Sequence, residues 1–189
     1  VLEIGRLRTP GMFDLTWDKP QPLVARRHRM EVNERATASG EILQPVDIEE
    51  VIRAGQFLVA EGVGSVAICF LNSHKNPRNE RVAADALGAA FPALSITASI
   101  EVLPEAGEYE RTSTTVVNAY VLPSLRAYLE RLEQKLRAHG ILAPLLIGNS
   151  NGGLSSAQTA QTRPVFFISS GRASGAVGGA RLGATTGEG

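Results

Sequence analysis

Residues 47–100 alternate between two hydrophobic periodicities, and that alternation limits the fold more than any other feature of the chain. Asp47 stands as an N-cap with Glu50 three residues on, a variant of the capping box. Ile48, Val51, Ile52, Gly55, Leu58 and Val59 then recur at helical spacing until Gly62. Gly64–Leu71 is a nearly unbroken apolar run, the pattern of a strand covered on both faces. Asn76-Pro77 opens a second helix, with Pro at its first position. Val82, Ala83, Ala86, Leu87 and Ala90 form its apolar face up to Phe91-Pro92, and Ser95–Ile100 is again a short strand. This order predicts a parallel α/β arrangement.

The flanks are read from weaker signals. Val1–Leu23 is irregular, broken by Pro10, Gly11, Pro20 and Pro22. Arg26–Ala36 reads as a strand, Ser39-Gly40 as a turn, and Glu41-Ile42-Leu43 as a returning hairpin arm. Thr112–Tyr120 and Val121–His139 read as helical, with Pro123 near their junction and Gly140 as a stop. Leu125, Tyr128, Leu129, Leu132 and Leu136 make the apolar stripe of the longer helix, and Glu130, Arg131, Glu133, Lys135 and Arg137 its solvated face. Leu142–Ile147 is a strand that runs into Gly148–Gly153. Pro164–Ile168 is a further strand, followed by a small-residue helix to about Leu182.

Lys plus Arg and Asp plus Glu number 19 each, so the formal charge is zero. Nothing favours nucleic acid or an anionic membrane as partner, since both call for a basic excess. No apolar run approaches the roughly 20 residues that span a bilayer. The single cysteine, Cys69, excludes an internal disulfide framework and a Cys-based zinc cluster, which fits a reducing cytoplasm. Within Val66–Leu71 it reads as a small buried hydrophobe rather than a nucleophile. His28, His74 and His139 show no metal spacing.

Three segments are candidates for chemistry. Ser150-Asn151-Gly152-Gly153 follows one expected strand, and Ser169-Ser170-Gly171-Arg172-Ala173-Ser174-Gly175 follows another. Ligands of open α/β sheets bind beyond the carboxyl ends of strands, and glycines let backbone N–H groups approach an anion. Neither loop matches a P-loop or a dinucleotide fingerprint, and each also reads as a tight turn. The third segment, Glu108–Tyr120, is rich in hydroxyls and carries Arg111. Arg111 could clamp a carboxylate or phosphate, or pair with Glu108 or Glu110.

Ordered motifs over about residues 3–187 resemble the hydantoinase A/5-oxoprolinase family. They are Phe13-Asp14-Leu15-Thr16-Trp17-Asp18-Lys19-Pro20 with Pro22-Leu23-Val24 and Arg27; Glu31-Val32-x-Glu34-Arg35 with Gly40; and Ala67–Ser73 with Asn76-Pro77 and Glu80. Glu110-Arg111-Thr112-Ser113-Thr114-Thr115-Val116-Val117-Asn118-Ala119-Tyr120 with Pro123 follows, then Ser150-Asn151-Gly152-Gly153 and Ser170-Gly171-x-Ala173-x-Gly175. Any one motif is weak; their order and spacing are specific.

The resemblance implies an α/β fold that is part of an actin-like ATPase (sugar kinase/heat-shock 70/actin) fold. Residues 1–45 would close the N-terminal hydantoinase/oxoprolinase region and 46–189 would open the hydantoinase A domain. It implies ATP with Mg²⁺ in the full-length protein, phosphoryl activation of a carbonyl oxygen, and hydrolysis of a hydantoin- or 5-oxoproline-type cyclic amide. An ATP-using subunit of a ketone carboxylase and a non-catalytic assembly module are the alternatives. A hydantoinase B-type subunit or domain is the implied partner, alongside a small-molecule substrate, with no nucleic acid, no membrane and a cytoplasmic location. Arg111, Thr112, Ser113, Thr114 and Asn118 are the substrate-binding candidates. Ser150, Asn151, Gly152, Gly153, Ser170, Gly171 and Gly175 are the nucleotide-binding candidates; no residue is assigned to a metal. The family's two Asp-x-Gly-Gly-Thr phosphate loops are absent from these residues. The chain therefore reads as an internal piece of a longer protein, inactive alone. Arg172 stands where the family usually has Pro, so it either strengthens anion binding or alters the turn.

Overall fold

The structure is a computed structural model that describes residues 1–3, 11, 14, 16–18 and 20–187. Of the irregular stretch expected over Val1–Leu23, residues 4–10, 12, 13, 15 and 19 lie outside the described residues, among them Phe13, Leu15 and Lys19 of the first family-like motif. Two units are distinguished, Val1–Tyr120 and Val121–Gly189.

In the first unit, Gly40 adopts φ +92° and turns β1 (Arg35–Ala36) into β2 (Ile42–Gln44), which pair antiparallel. The long strand expected from Arg26 is not formed: Arg26–His28 is a 3-10 turn. A strand needs a partner, and the three residues of β2 can pair with no more than β1. The helix after Asp47 forms as α1 (Ile48–Ala60), with the Glu50 amide donating to Asp47 Oδ1 at 3.1 Å. The reciprocal arm of a capping box is absent, because the Glu50 carboxylate instead accepts the Asn33 backbone N–H at 2.6 Å and its side-chain amide at 2.7 Å. Gly62, at φ +78°, then turns the chain out of the helix.

β3 (Ser65–Ile68) and β4 (Ser95–Ala98) pair in parallel, Ser65 opposite Ser95 and Ile68 opposite Ala98, with α2 (Arg78–Ala90) between them in sequence. This is the arrangement the alternating periodicities predict. Only Ile68 of β3 is fully buried, so the strand is less enclosed than its apolar run suggested. Val46, Val51, Ile68, Ala83 and Leu87 form the core, with Phe91 and Ile96 packed on it. Gly55 is where α1 meets α2: a Cβ there would lie 2.5 Å from Phe91 Cε2 and 2.6 Å from Leu87 Cδ2. The short helix α3 (Ser99–Val102) follows β4 directly.

The two helices expected on either side of Pro123 are one, α4 (Glu108–Ala138), with Pro123 inside it. Proline has no N–H for the carbonyl four residues back, here Ala119. That carbonyl accepts the Ser65 hydroxyl instead, at 2.7 Å. An outside donor takes the place of the missing helical bond, and the helix continues.

In the second unit the remainder of α4 buries Leu122 and Leu129, at 3% and 1% exposure. Tyr128, expected on the apolar stripe, is exposed. β5 (Leu146–Gly148) and β6 (Leu154–Ser156) form an antiparallel hairpin. The short helix α5 (Ala157–Ala160) follows, capped by Ser156 Oγ accepting the Thr159 amide at 3.2 Å. Pro164–Phe167 is a 3-10 turn, not the strand expected over Pro164–Ile168. A short apolar run has no period to tell strand from helical turn, and Pro164 takes the first helical position that suits it. α6 (Ser170–Thr186) is the small-residue helix, ending at Gly187 with φ +76°. Leu129, Ala160 and Phe167 form this unit's core, with Leu125, Leu145 and Ile147 against them.

Candidate functional site

Polar groups of the first unit gather just past the carboxyl ends of β3 and β4. Glu80 is fully buried, and its Oε1 accepts the Phe70 amide and the Ser99 hydroxyl, each at 2.7 Å. Its Oε2 accepts the Ile100 amide at 3.1 Å. Arg111 is 2% exposed; its Nη2 donates to the Phe70 carbonyl at 2.6 Å, and its Nη1 lies 3.0 Å from His74 Nδ1. Two buried charges thus grip the N–H and C=O of one residue, Phe70. Because guanidinium only donates, His74 Nδ1 is the acceptor, which places the ring proton on Nε2. Desolvation first, then the Arg111 and Lys75 charges, hold the His74 pKa below its ordinary value.

Cys69 lies beside this cluster. Burial foremost, and then the Glu80 charge, push its thiol up to about 12, so it stays protonated and behaves as the small hydrophobe its sequence context suggests. Both Nη groups of Arg111 are occupied by protein acceptors, and its Nε has no hydrogen-bond partner among the described residues. As placed, Arg111 fixes the loop after β3. Thr112, Ser113 and Thr114, on the same helix, are partly exposed, while Asn118 is fully buried. Thr115 Oγ1 donates back to the Arg111 carbonyl at 2.6 Å.

In the second unit, Ser150–Gly153 is the turn of the β5–β6 hairpin, with Gly152 at φ +86°. Three of its four backbone donors are already used. Ser150 N–H goes to the Phe166 carbonyl at 2.7 Å, Gly152 N–H to the Asn149 carbonyl at 3.1 Å and Gly153 N–H to Asn151 Oδ1 at 3.1 Å. The two loops singled out in the sequence do meet: the Ser169 amide donates to Ser150 Oγ at 3.1 Å. Arg172 folds back so that its Nη2 donates to Ser169 Oγ at 3.0 Å. Ser170 and Gly171 open α6, and Gly175 lies one turn on; apart from α6 itself, open space surrounds both glycines among the described residues.

Beside the hairpin turn lies an open cleft of about 410 Å³, walled by Asn149, Ser150, Asn151, Arg163, Phe166 and Phe167, with the Ser155 and Thr159 side chains on its surface. Ser170, Gly171 and Gly175 do not line it. Arg163 and Phe166 were not among the sequence candidates. A signal for the first was present, because Gly140–Gly187 contains no Asp or Glu yet carries Arg163, Arg172 and Arg181. The second unit holds seven Lys and Arg against three Asp and Glu, and the first twelve against sixteen. A whole-chain charge of zero conceals that division. Among the described residues no group of three His, Cys, Asp or Glu could hold a metal ion, and no helix is long and apolar enough to cross a membrane.

An α/β chain with these motifs in this order is a member of the hydantoinase/oxoprolinase family. The family's N-terminal region matches residues 1–90 and its hydantoinase/oxoprolinase profile matches residues 111–189. An uncharacterised protein of Methanocaldococcus jannaschii is 40% identical over 177 residues, covering 94% of this chain and 26% of that one. Caprolactamase subunit alpha of Pseudomonas jessenii is 34% identical over 173 residues, 92% of this chain and 25% of the relative. The crystal structure of ATP-dependent caprolactamase from that organism aligns with TM-score 0.87 and 35% identity, over 98% of this chain and 27% of that one. The nucleotide-free structure of acetone carboxylase aligns with TM-score 0.81 and 26% identity, over 90% of this chain and 24% of that one. The fold is therefore the α/β fold of this family, and the chain spans about a quarter of the length of these relatives.

Proposed function

We propose that the chain is part of an ATP-dependent hydrolase of cyclic amides, of the hydantoin or 5-oxoproline type, which acts by phosphoryl activation of a carbonyl oxygen. The observation that carries this reading is the likeness to ATP-dependent caprolactamase, at TM-score 0.87 over 98% of the chain. ATP, when bound, supplies the phosphoryl group that makes the amide oxygen easier to displace. The actin-like ATPase architecture implied by the sequence motifs belongs to this reading, as does a cytoplasmic location.

The residues of the second unit suit a polyanion through their side chains. Ser150 and Asn151 line the cleft beside the hairpin turn and are the groups proposed to face the nucleotide, while Gly152 and Gly153 shape the turn that presents them. Ser170, Gly171 and Gly175 belong to the same proposal through α6, whose start is tied to Ser150 by the Ser169 amide. Thr112, Ser113 and Thr114 on α4 are proposed to meet the substrate, with Arg111 and Asn118 buried on the same helix. Mg²⁺ would accompany ATP, but the described residues offer it no cluster of ligands, and no step is derived through it. A hydantoinase B-type partner is proposed because the caprolactamase relative is itself a subunit, named alpha.

The likeness to acetone carboxylase, at TM-score 0.81, supports a second reading: an ATP-using subunit of a ketone carboxylase. The two separate in one assay. The whole protein with its partner is incubated with MgATP and either hydantoin, 5-oxoproline, caprolactam, or acetone with bicarbonate. Phosphate release that depends on a cyclic amide supports the first reading, and release that depends on ketone plus bicarbonate selects the second. ATP turnover stimulated by none of them defeats both.

A further inference from the structure

We propose that the cleft of the second unit is an oxyanion subsite, in which Arg163 supplies the charge and Asn149 takes a hydrogen-bond donor from the same ligand. Arg163 stands on fixed backbone: its N–H donates to the Thr159 carbonyl at 3.0 Å, and its own carbonyl accepts the Phe166 amide at 3.2 Å. The next residue, Pro164, is buried. The side chain is exposed and borders the cleft, and no ion pair among the described residues includes it. No acid between Gly140 and Gly187 competes for it. An arginine so placed presents a fork of donors that matches a carboxylate or a phosphate.

Asn149 gives the second, independent observation. Its Nδ2 donates to Ser155 Oγ at 3.0 Å, yet its Oδ1 is buried and has no hydrogen-bond partner among the described residues. Most buried acceptors are satisfied, and an orphan on a cleft wall calls for a donor from whatever fills the cleft. The exposed ring of Phe166 adds an apolar wall. The ligand class is therefore a small molecule that carries a carboxylate or phosphate together with an N–H or O–H donor. This deepens the reading above, which sets the nucleotide against the same cleft, and rests on it only in placing an anion there.

The test is an NMR titration of the 189-residue chain, following the Asn149 side-chain amide and the Phe166 backbone amide. The probes are inorganic phosphate, acetate and glycolate, the last two being a carboxylate without and with a hydroxyl donor. The expected result is a saturable shift that Arg163→Gln weakens about tenfold or more, a change of about 1.4 kcal/mol. Arg163→Lys should keep part of the affinity, and Arg181→Gln, on α6, should keep all of it. Saturation by phosphate alone assigns the subsite to a phosphoryl group, and saturation by carboxylates, with glycolate tighter than acetate, assigns it to an organic acid; both uphold the proposal. It is overturned if none of the three saturates a chain whose circular dichroism shows it folded. It is equally overturned if Arg163→Gln binds as wild type. Either failure leaves the cyclic-amide reading standing, since that is judged separately by substrate-dependent phosphate release.

Discussion

Replacing Ser65 by Ala should strand the Ala119 carbonyl, and the size of the loss should depend on Pro123. Ser65 Oγ donates to that carbonyl at 2.7 Å, and Ala119 is only 5% exposed, so water is a poor substitute. A buried acceptor left without a partner costs about 1–3 kcal/mol. With an m-value near 2 kcal/mol/M, the urea midpoint should fall by roughly 0.5–1.5 M. In Pro123→Ala the new N–H can reach Ala119 O along the helix, and the same Ser65→Ala change should then cost about 0.5 kcal/mol or less. The coupling energy of the double-mutant cycle should be at least about 0.5 kcal/mol. Four proteins are unfolded in urea and followed by far-UV circular dichroism, and the residue-123 amide is checked for slow hydrogen exchange. If Ser65→Ala costs the same in both backgrounds, within about 0.3 kcal/mol, the hydroxyl is not what carries α4 through its proline.

Other changes test the packing and the buried charges. Glu80→Ala leaves the Phe70 and Ile100 amides and the Ser99 hydroxyl without their acceptor. It should cost about 3–5 kcal/mol and speed exchange of both amides; a loss below about 1 kcal/mol contradicts the role given to this carboxylate. Gly55→Ala places a Cβ 2.5 Å from Phe91 Cε2 and should destabilise by about 1–3 kcal/mol; a midpoint equal to wild type would refute the close helix contact. Cys69 should resist iodoacetamide at pH 8 in the native state and react in urea. Its pKa is raised on folding, so its contribution is present below the unfolded thiol value of about 8.5 and is lost as pH climbs toward about 12. His74 is the opposite case: its folded pKa is lowered by desolvation first, so its contribution is present above about 6.5 and is lost as pH falls through the folded value. NMR should show an imidazole midpoint below 6.5, rising in Lys75→Ala; a midpoint at or above the ordinary value refutes it.

Where local physics decides an element, the residues disclose it in advance. Asp47 and Gly62 bracket α1, and the apolar spacing of β3, α2 and β4 leads to a parallel pair in the expected order. Where a distant group decides, they do not. Nothing near Pro123 in sequence tells that Ser65 will supply the missing donor, so two helices were expected where one exists. Glu50 shows the same limit at short range: its spacing suits a return to Asp47, but Asn33 competes for the carboxylate and wins with two bonds. Pro164–Ile168 fails for a different reason, since five apolar residues after an arginine have no periodicity to read.

The site divides along the same line. Gly-rich loops suggest an anion site because their backbone N–H groups are commonly free, and that premise is what the hairpin removes. Ser150, Gly152 and Gly153 all donate within the protein, two of them inside the turn itself. A loop with most of its donors spent can still form a site if it positions side chains, and Ser150 does so by holding the Ser169 amide. Recognition is thereby shifted from backbone to side chain, and from the glycines to residues that no motif marks. Arg163 is fixed by its backbone bonds to Thr159 and Phe166, and Asn149 by its bonds to Gly153 and Ser155. The clue that survives in the sequence is electrostatic rather than patterned. A 48-residue stretch with no acid, Gly140–Gly187, gives its arginines no carboxylate within it, while most of the chain's acids belong to the other unit. Charge counted by unit, rather than over the chain, is the quantity that bears on what the cleft can bind, because screening in physiological salt confines each charge to within about 8 Å.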